Sequence, residues 1–107
     1  MATYTATVSW TRSADEAFKD NKYHRGHQWS FDGGVSFRAS SSPHVVPRFS
    51  DPAGVDPEEA FVASLSSCHM LTVLYLAAKQ GLVVIATSIR PRVLWARTPR
   101  AACSSVW

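Results

Sequence analysis

A cysteine, a glutamate and two arginines are the residues here that could do chemistry together. Cys68 lies in S-S-C-H-M, in the middle of the run Asp56 to Gly81. A thiol is a strong nucleophile only as its thiolate, and a nearby cation favours that form. Arg25, Arg48 and His69 are the candidate cations. His69 follows Cys68 directly, and adjacent side chains on a helix diverge by about 100°, so it is a poor direct partner. Glu58 is the natural carboxylate to hold a guanidinium. It precedes Cys68 by ten residues, which is about 15 Å along a continuous helix. One arginine therefore cannot easily touch both within one chain. Two antiparallel helices across a dimer axis would bring Glu58 of one copy near Cys68 of the other.

Each of these residues has a plainer reading. Free cysteine is among the most buried residue types, and from spacing alone a structural thiol is the default for Cys68. Arg25 alternates in register with Tyr23, Trp29 and Phe31. Buried there it would need a carboxylate, because an unpaired interior charge costs several kcal/mol or more. Alternatively it lies near the strand start and snorkels to water. Glu59 needs no role beyond a first-turn acid favoured by the helix dipole. His24 and His27 are three apart on a strand and so point to opposite faces. Cys68-His69 lacks zinc spacing. No metal and no cofactor is expected, and there is no glycine-rich phosphate loop or Ser/His/Asp set in recognisable context.

The element that must carry Cys68 is a long helix with both ends signposted. Asp56 is a favoured N-cap, Pro57 suits the first helical position, and Glu59 can complete a capping box. Gly81 can take the left-handed conformation that ends a helix, with Lys79 favoured in the last turn. Between them Phe61, Val62, Leu65, Met70, Val73, Leu74, Tyr75 and Leu76 cover every side. A helix apolar all round is normally enclosed, and this one is about 36 Å long. The uncharged run Ala60–Ala78 would also be long enough to cross a membrane. Ser64, Ser66, Ser67, Cys68, His69 and Thr72 make much of its first half polar, so no membrane partner is expected.

Ahead of the helix the pattern changes to alternation. Thr3–Arg12 reads as a half-buried strand with Tyr4, Ala6, Val8 and Trp10 on one face. Ser13–Lys22 reads as a loop. Tyr23–Phe31 and Val35–Ala39 read as two strands joined by the hairpin signal Asp32-Gly33-Gly34. His44–Val55, with Pro47, Pro52 and Gly54, is a connection. Leu82–Ile85 is short and β-prone. An antiparallel three-stranded meander followed by one helix predicts an α+β fold. The sheet can cover one side of the helix, and a twofold-related helix is the economical cover for the other, so an obligate homodimer is expected.

At 107 residues, 46% hydrophobic and 18% charged, the chain has the size and composition of a single globular domain. Its N-terminus lacks the basic and apolar regions of a signal peptide, which makes a cytoplasmic location the expectation. The net charge of +3 is uneven: all eight acidic residues lie between Asp15 and Glu59, while Arg90, Arg92, Arg97 and Arg100 crowd the tail. A basic tail can suggest nucleic acid, but no nucleic-acid motif accompanies it, and none is expected as a partner.

The phrases Y-H-R-G-H-Q-W-S-F-D-G-G, S-S-S-P-H-V-V-P and S-D-P-A-G-V-D-P-E-E-A-F-V-A-S-L-S-S-C-H-M-L together resemble the OsmC/Ohr family of osmotically induced and organic hydroperoxide resistance proteins. The resemblance covers roughly residues 3–84. It implies an intertwined homodimer with two central helices wrapped by sheets. It also implies a peroxiredoxin-like, antioxidant oxidoreductase activity: a thiol peroxidase that reduces organic hydroperoxides in the oxidative stress response. A cysteine becomes sulfenic acid, a second cysteine closes a disulfide, and a dithiol reductant of lipoamide type resets it. On this resemblance Cys68 takes the peroxidatic position and Glu58 the glutamate that holds the catalytic arginine. Arg25 matches the arginine of one branch and Arg48 that of another. A non-catalytic OsmC-like module that binds a small apolar molecule is the alternative. The family pattern stops near Ile85. The tail that follows, within a single domain spanning 1–107, is rich in Arg, Pro, Ala, Ser and Trp, and Cys103 lacks the context of a resolving cysteine. A shifted reading frame from about residue 85 would produce such a tail and leave the enzyme impaired.

Overall fold

In a computed structural model of the chain, residues 1–94 are described. Three strands and one helix follow in order: β1 (Ala6–Ser9), β2 (His27–Phe31), β3 (Ser36–Ala39) and α1 (Pro57–Lys79). The architecture is α+β, as the change from alternating to helical periodicity predicts. The chain divides into two compact units, Met1–Glu58 and Glu59–Trp107.

The first unit is built on an antiparallel sheet of order β1-β2-β3. Thr7 lies opposite Ser30, and Trp29 lies between Val8 and Phe37. Asp32-Gly33-Gly34 makes the tight connection, with Gly34 at φ +97° and Phe31 N–H donating to the Val35 carbonyl at 2.9 Å. A positive φ costs glycine little, which is why the turn falls there. Trp29, Phe31 and Phe37 share one face, with ring centroids 5.6 and 5.8 Å apart.

Strands are shorter than the alternation predicts. Tyr23–Gly26 is not strand. Arg25 N–H donates instead to the Phe49 carbonyl at 2.8 Å, which ties this segment to the connection after β3. That connection is an ordered strap. Val55 bridges Ala39 in parallel, with Val55 N–H on the Arg38 carbonyl (3.1 Å) and Ser40 N–H on the Val55 carbonyl (3.0 Å). The buried Ser40 hydroxyl accepts from Asp51 N–H at 2.8 Å, and the Ser41 and Ser50 hydroxyls meet at 2.6 Å. Arg38 reaches Asp51 at 2.8 Å. Gly54 packs so closely that a Cβ there would lie 3.0 Å from the Ala39 carbonyl carbon.

The second unit is dominated by α1. Its end is a Schellman motif. Gly81 has φ +76°, Leu82 N–H donates to the Ala77 carbonyl (2.9 Å) and Gly81 N–H to the Ala78 carbonyl (3.1 Å). No residue of α1 is buried. Phe61, Leu65, Leu71 and Tyr75 are each more than half exposed. The β-prone run Leu82–Ile85 forms no strand, and Cys103 lies outside the described residues.

Candidate functional site

Cys68 lies near the middle of α1 and is exposed. Its carbonyl accepts a bond from the Thr72 hydroxyl at 3.0 Å, the back-bonding common for threonine in helices. Ser64 makes a similar bond to the Phe61 carbonyl at 2.9 Å. The polar first half of the helix thus ties part of its hydroxyl content into its own backbone and leaves the thiol open.

Glu58 stands in the first turn of α1. One carboxylate oxygen, Oε2, is shielded from solvent and has no hydrogen-bond partner among the described residues. A shielded carboxylate oxygen without a partner is costly, and a guanidinium would satisfy it. Asp56, just before Pro57, is buried, consistent with its place at the helix start.

The two candidate arginines belong to the first unit, and their surroundings differ. Arg25 is committed locally. Its guanidinium bonds the Tyr23 carbonyl, the Asn21 carbonyl (3.1 Å) and the Asn21 side-chain oxygen (3.2 Å), and lies 3.6 Å from the centre of the Tyr23 ring. Asn21 presents those oxygens from a left-handed backbone at φ 66°, a conformation asparagine tolerates. Among the described residues no carboxylate pairs with Arg25. Arg48 lines an open cleft with Glu16, Lys22, His24, Ser50 and Asp51. The two acids of that cleft are spoken for: Glu16 pairs with His24 at 2.9 Å, and Asp51 with Arg38. The Arg48 guanidinium makes no ion pair among the described residues. The Arg25–Phe49 backbone bond brings the two arginine segments side by side.

Sequence reasoning missed Glu16. Its carboxylate accepts from His24 N–H (2.7 Å) and from Ser13 N–H (3.3 Å), and meets His24 Nδ1. The bond from His24 N–H leads in holding its carboxyl below the usual range, with smaller help from the His24 ring and Ser13 N–H against the desolvation that raises it. Seven intervening loop residues hide this pair from any periodicity. Among the described residues no cluster of His, Cys, Asp or Glu could hold a metal ion.

No family model matches the chain, and no curated protein matches it. Among solved structures it is similar to an OsmC-like protein of unknown function from Vibrio cholerae. The two are 60% identical over 75% of this chain, with a TM-score of 0.73. The chain spans 53% of that protein's length. With the three-stranded antiparallel sheet, the long helix that carries Cys68 and this level of identity, the chain belongs to the OsmC-like family.

Proposed function

We propose that this chain is a thiol peroxidase acting on organic hydroperoxides, with Cys68 as the peroxidatic cysteine, in a cytoplasmic homodimer. The observation that carries the reading is the open Cys68 thiol on α1, at the position the family resemblance gives to the reacting sulfur. Glu58 supports it, because its unsatisfied Oε2 calls for a guanidinium. In a dimer of antiparallel helices, Glu58 and an arginine of one copy serve Cys68 of the other. Arg48 is the better candidate, since Arg25 is already engaged.

The step balances as follows. The Cys68 thiolate attacks the terminal oxygen of ROOH. An S–O bond forms and the O–O bond breaks. The alkoxide takes a proton and leaves as ROH, and Cys68 becomes sulfenic acid. A thiol of an external dithiol then attacks that sulfur and releases water. Its second thiol breaks the mixed disulfide, which returns the Cys68 thiol and a cyclic disulfide.

Loss of dithiol-dependent hydroperoxide consumption in Cys68→Ser is the expected result. Equal consumption by Cys68→Ser and the parent would refute the assignment. The non-catalytic binding alternative predicts a Cys68 that resists alkylation at neutral pH. A second reading rests on α1 itself, which is long and apolar enough to cross a membrane. Recovery of the full chain in the detergent phase would favour that reading, and recovery as a water-soluble dimer would remove it.

A further inference from the structure

Arg48 shares its cleft with two acids, Glu16 and Asp51, and with Lys22 and His24. The two acids are fastened in different ways. The Glu16 oxygens accept from Ser13 N–H (3.3 Å) and His24 N–H (2.7 Å), and both also meet His24 Nδ1. Each Glu16 oxygen is thus engaged by the main chain. Asp51 divides its oxygens. Oδ1 accepts from Ala53 N–H at 2.9 Å, and Oδ2 accepts from the Arg38 guanidinium at 2.8 Å. Oδ2 therefore depends on a side chain.

Arg38 reaches Asp51 from β3, where it lies opposite Gln28 and its carbonyl accepts from Val55 N–H. Its side chain is 65% exposed, and an ion pair that open adds little to stability. Its electrostatic place matters more. Asp51 lies three residues from Arg48 on the strap, and a carboxylate in the same cleft is the natural partner for an unpaired guanidinium. Loss of Arg38 would not carry that carboxylate away. Asp51 N–H is held by the Ser40 hydroxyl at 2.8 Å, and Oδ1 by Ala53 N–H.

We infer, resting on the thiol chemistry proposed above, that Arg38 is a positioning residue: by occupying Asp51 it keeps the Arg48 guanidinium free for the reacting sulfur. Without Arg38, the released Oδ2 pairs with Arg48. The guanidinium then brings less positive charge to the thiolate, which holds its proton more tightly. Lys22 competes for the released carboxylate, which keeps the effect modest. The expected size is about two- to fivefold, the equilibrium weight of an exposed ion pair.

Two readouts on the full chain test this: alkylation against pH, followed at the Cys68 peptide, and steady-state hydroperoxide reduction. Arg38→Ala should raise the alkylation midpoint by about half a pH unit, a factor of about three, and lower kcat/KM about two- to fivefold. Asp51→Asn keeps the acceptor for Ala53 N–H and removes the competing charge, so it should match the parent. Arg38→Lys keeps a cation on Asp51 and should match it too. In Arg38→Ala/Asp51→Asn both readouts should return to parental values, which loss of a merely structural contact would not give. Parental values in Arg38→Ala would overturn the inference. A double variant as impaired as Arg38→Ala would overturn it as well, since the pair would then matter through structure alone. Hydroperoxide consumption by Cys68→Ser equal to the parent's would instead refute the peroxidase reading, and the alkylation midpoints would still decide the part played by Arg38.

Discussion

Arg25 and Arg48 have equal claims by position and unequal claims by surroundings. Arg25 spends its donors on Tyr23 and Asn21 and stacks on the Tyr23 ring, so its loss is a matter of structure. Arg48 keeps a guanidinium without an ion pair among the described residues, in a cleft whose acids are already paired. If Arg48 stabilises the thiolate and the departing alkoxide, Arg48→Ala should lower kcat/KM for hydroperoxide reduction by about 10²–10³-fold, the scale of losing one preorganised electrostatic contact. Its melting temperature should hardly move. Arg25→Ala should instead cost about 1 kcal/mol of stability with little change in kcat/KM, because it loses local bonds and ring packing. Steady-state kinetics and thermal unfolding of both variants decide between them, and the opposite pattern would transfer the role to Arg25.

At the scale of elements, two devices hold the first unit: the Glu16–His24 clasp and the strap over β3. Glu16 is held below its ordinary value of 4.5, chiefly by His24 N–H. Asp51 is likewise held below 3.8, first by Ala53 N–H and then by Arg38. A lowered carboxyl contributes stability above its unfolded pKa and loses it as pH falls through the folded value. Stability should therefore decline from about pH 4.5 downward, and Glu16→Gln should flatten that decline in urea titrations run at a series of pH values. Gly54→Ala presses a methyl against the Ala39 backbone and should cost about 1–3 kcal/mol, the range for overpacking, read as a lower melting temperature. These devices also mark where the sequence was legible. Pro57 and Gly81 bound the helix, and alternation with Asp-Gly-Gly announces the hairpin, because those signals are local. The strap, the clasp and the late start of β2 at His27 depend on Val55, Glu16 and Phe49, residues 8 to 24 positions from their partners. Periodicity carries no trace of such contacts. Leu82–Ile85 has the propensity of a strand and finds no pairing partner among the described residues. The places of Cys68 and Glu58 on α1 were readable from the helix signals. What already occupies each arginine was not, because those contacts come from loop residues that periodicity does not reveal.

At the scale of the whole molecule, the unburied surface of α1 predicts assembly. α1 offers apolar side chains around its circumference with none buried. Burial of that surface against a second helix should drive association, because an exposed helix loses about 25 cal/mol for every Å² of apolar surface left in water. Sedimentation equilibrium of the full chain should therefore show a dimer. Leu65→Lys, on the exposed helix surface, should remove the tight dimer and with it the peroxidase activity, since Glu58 of one copy then no longer reaches Cys68 of the other. A parent chain that sediments as a monomer at every concentration would show that α1 is not covered by its twin, and the shared site would fall with it.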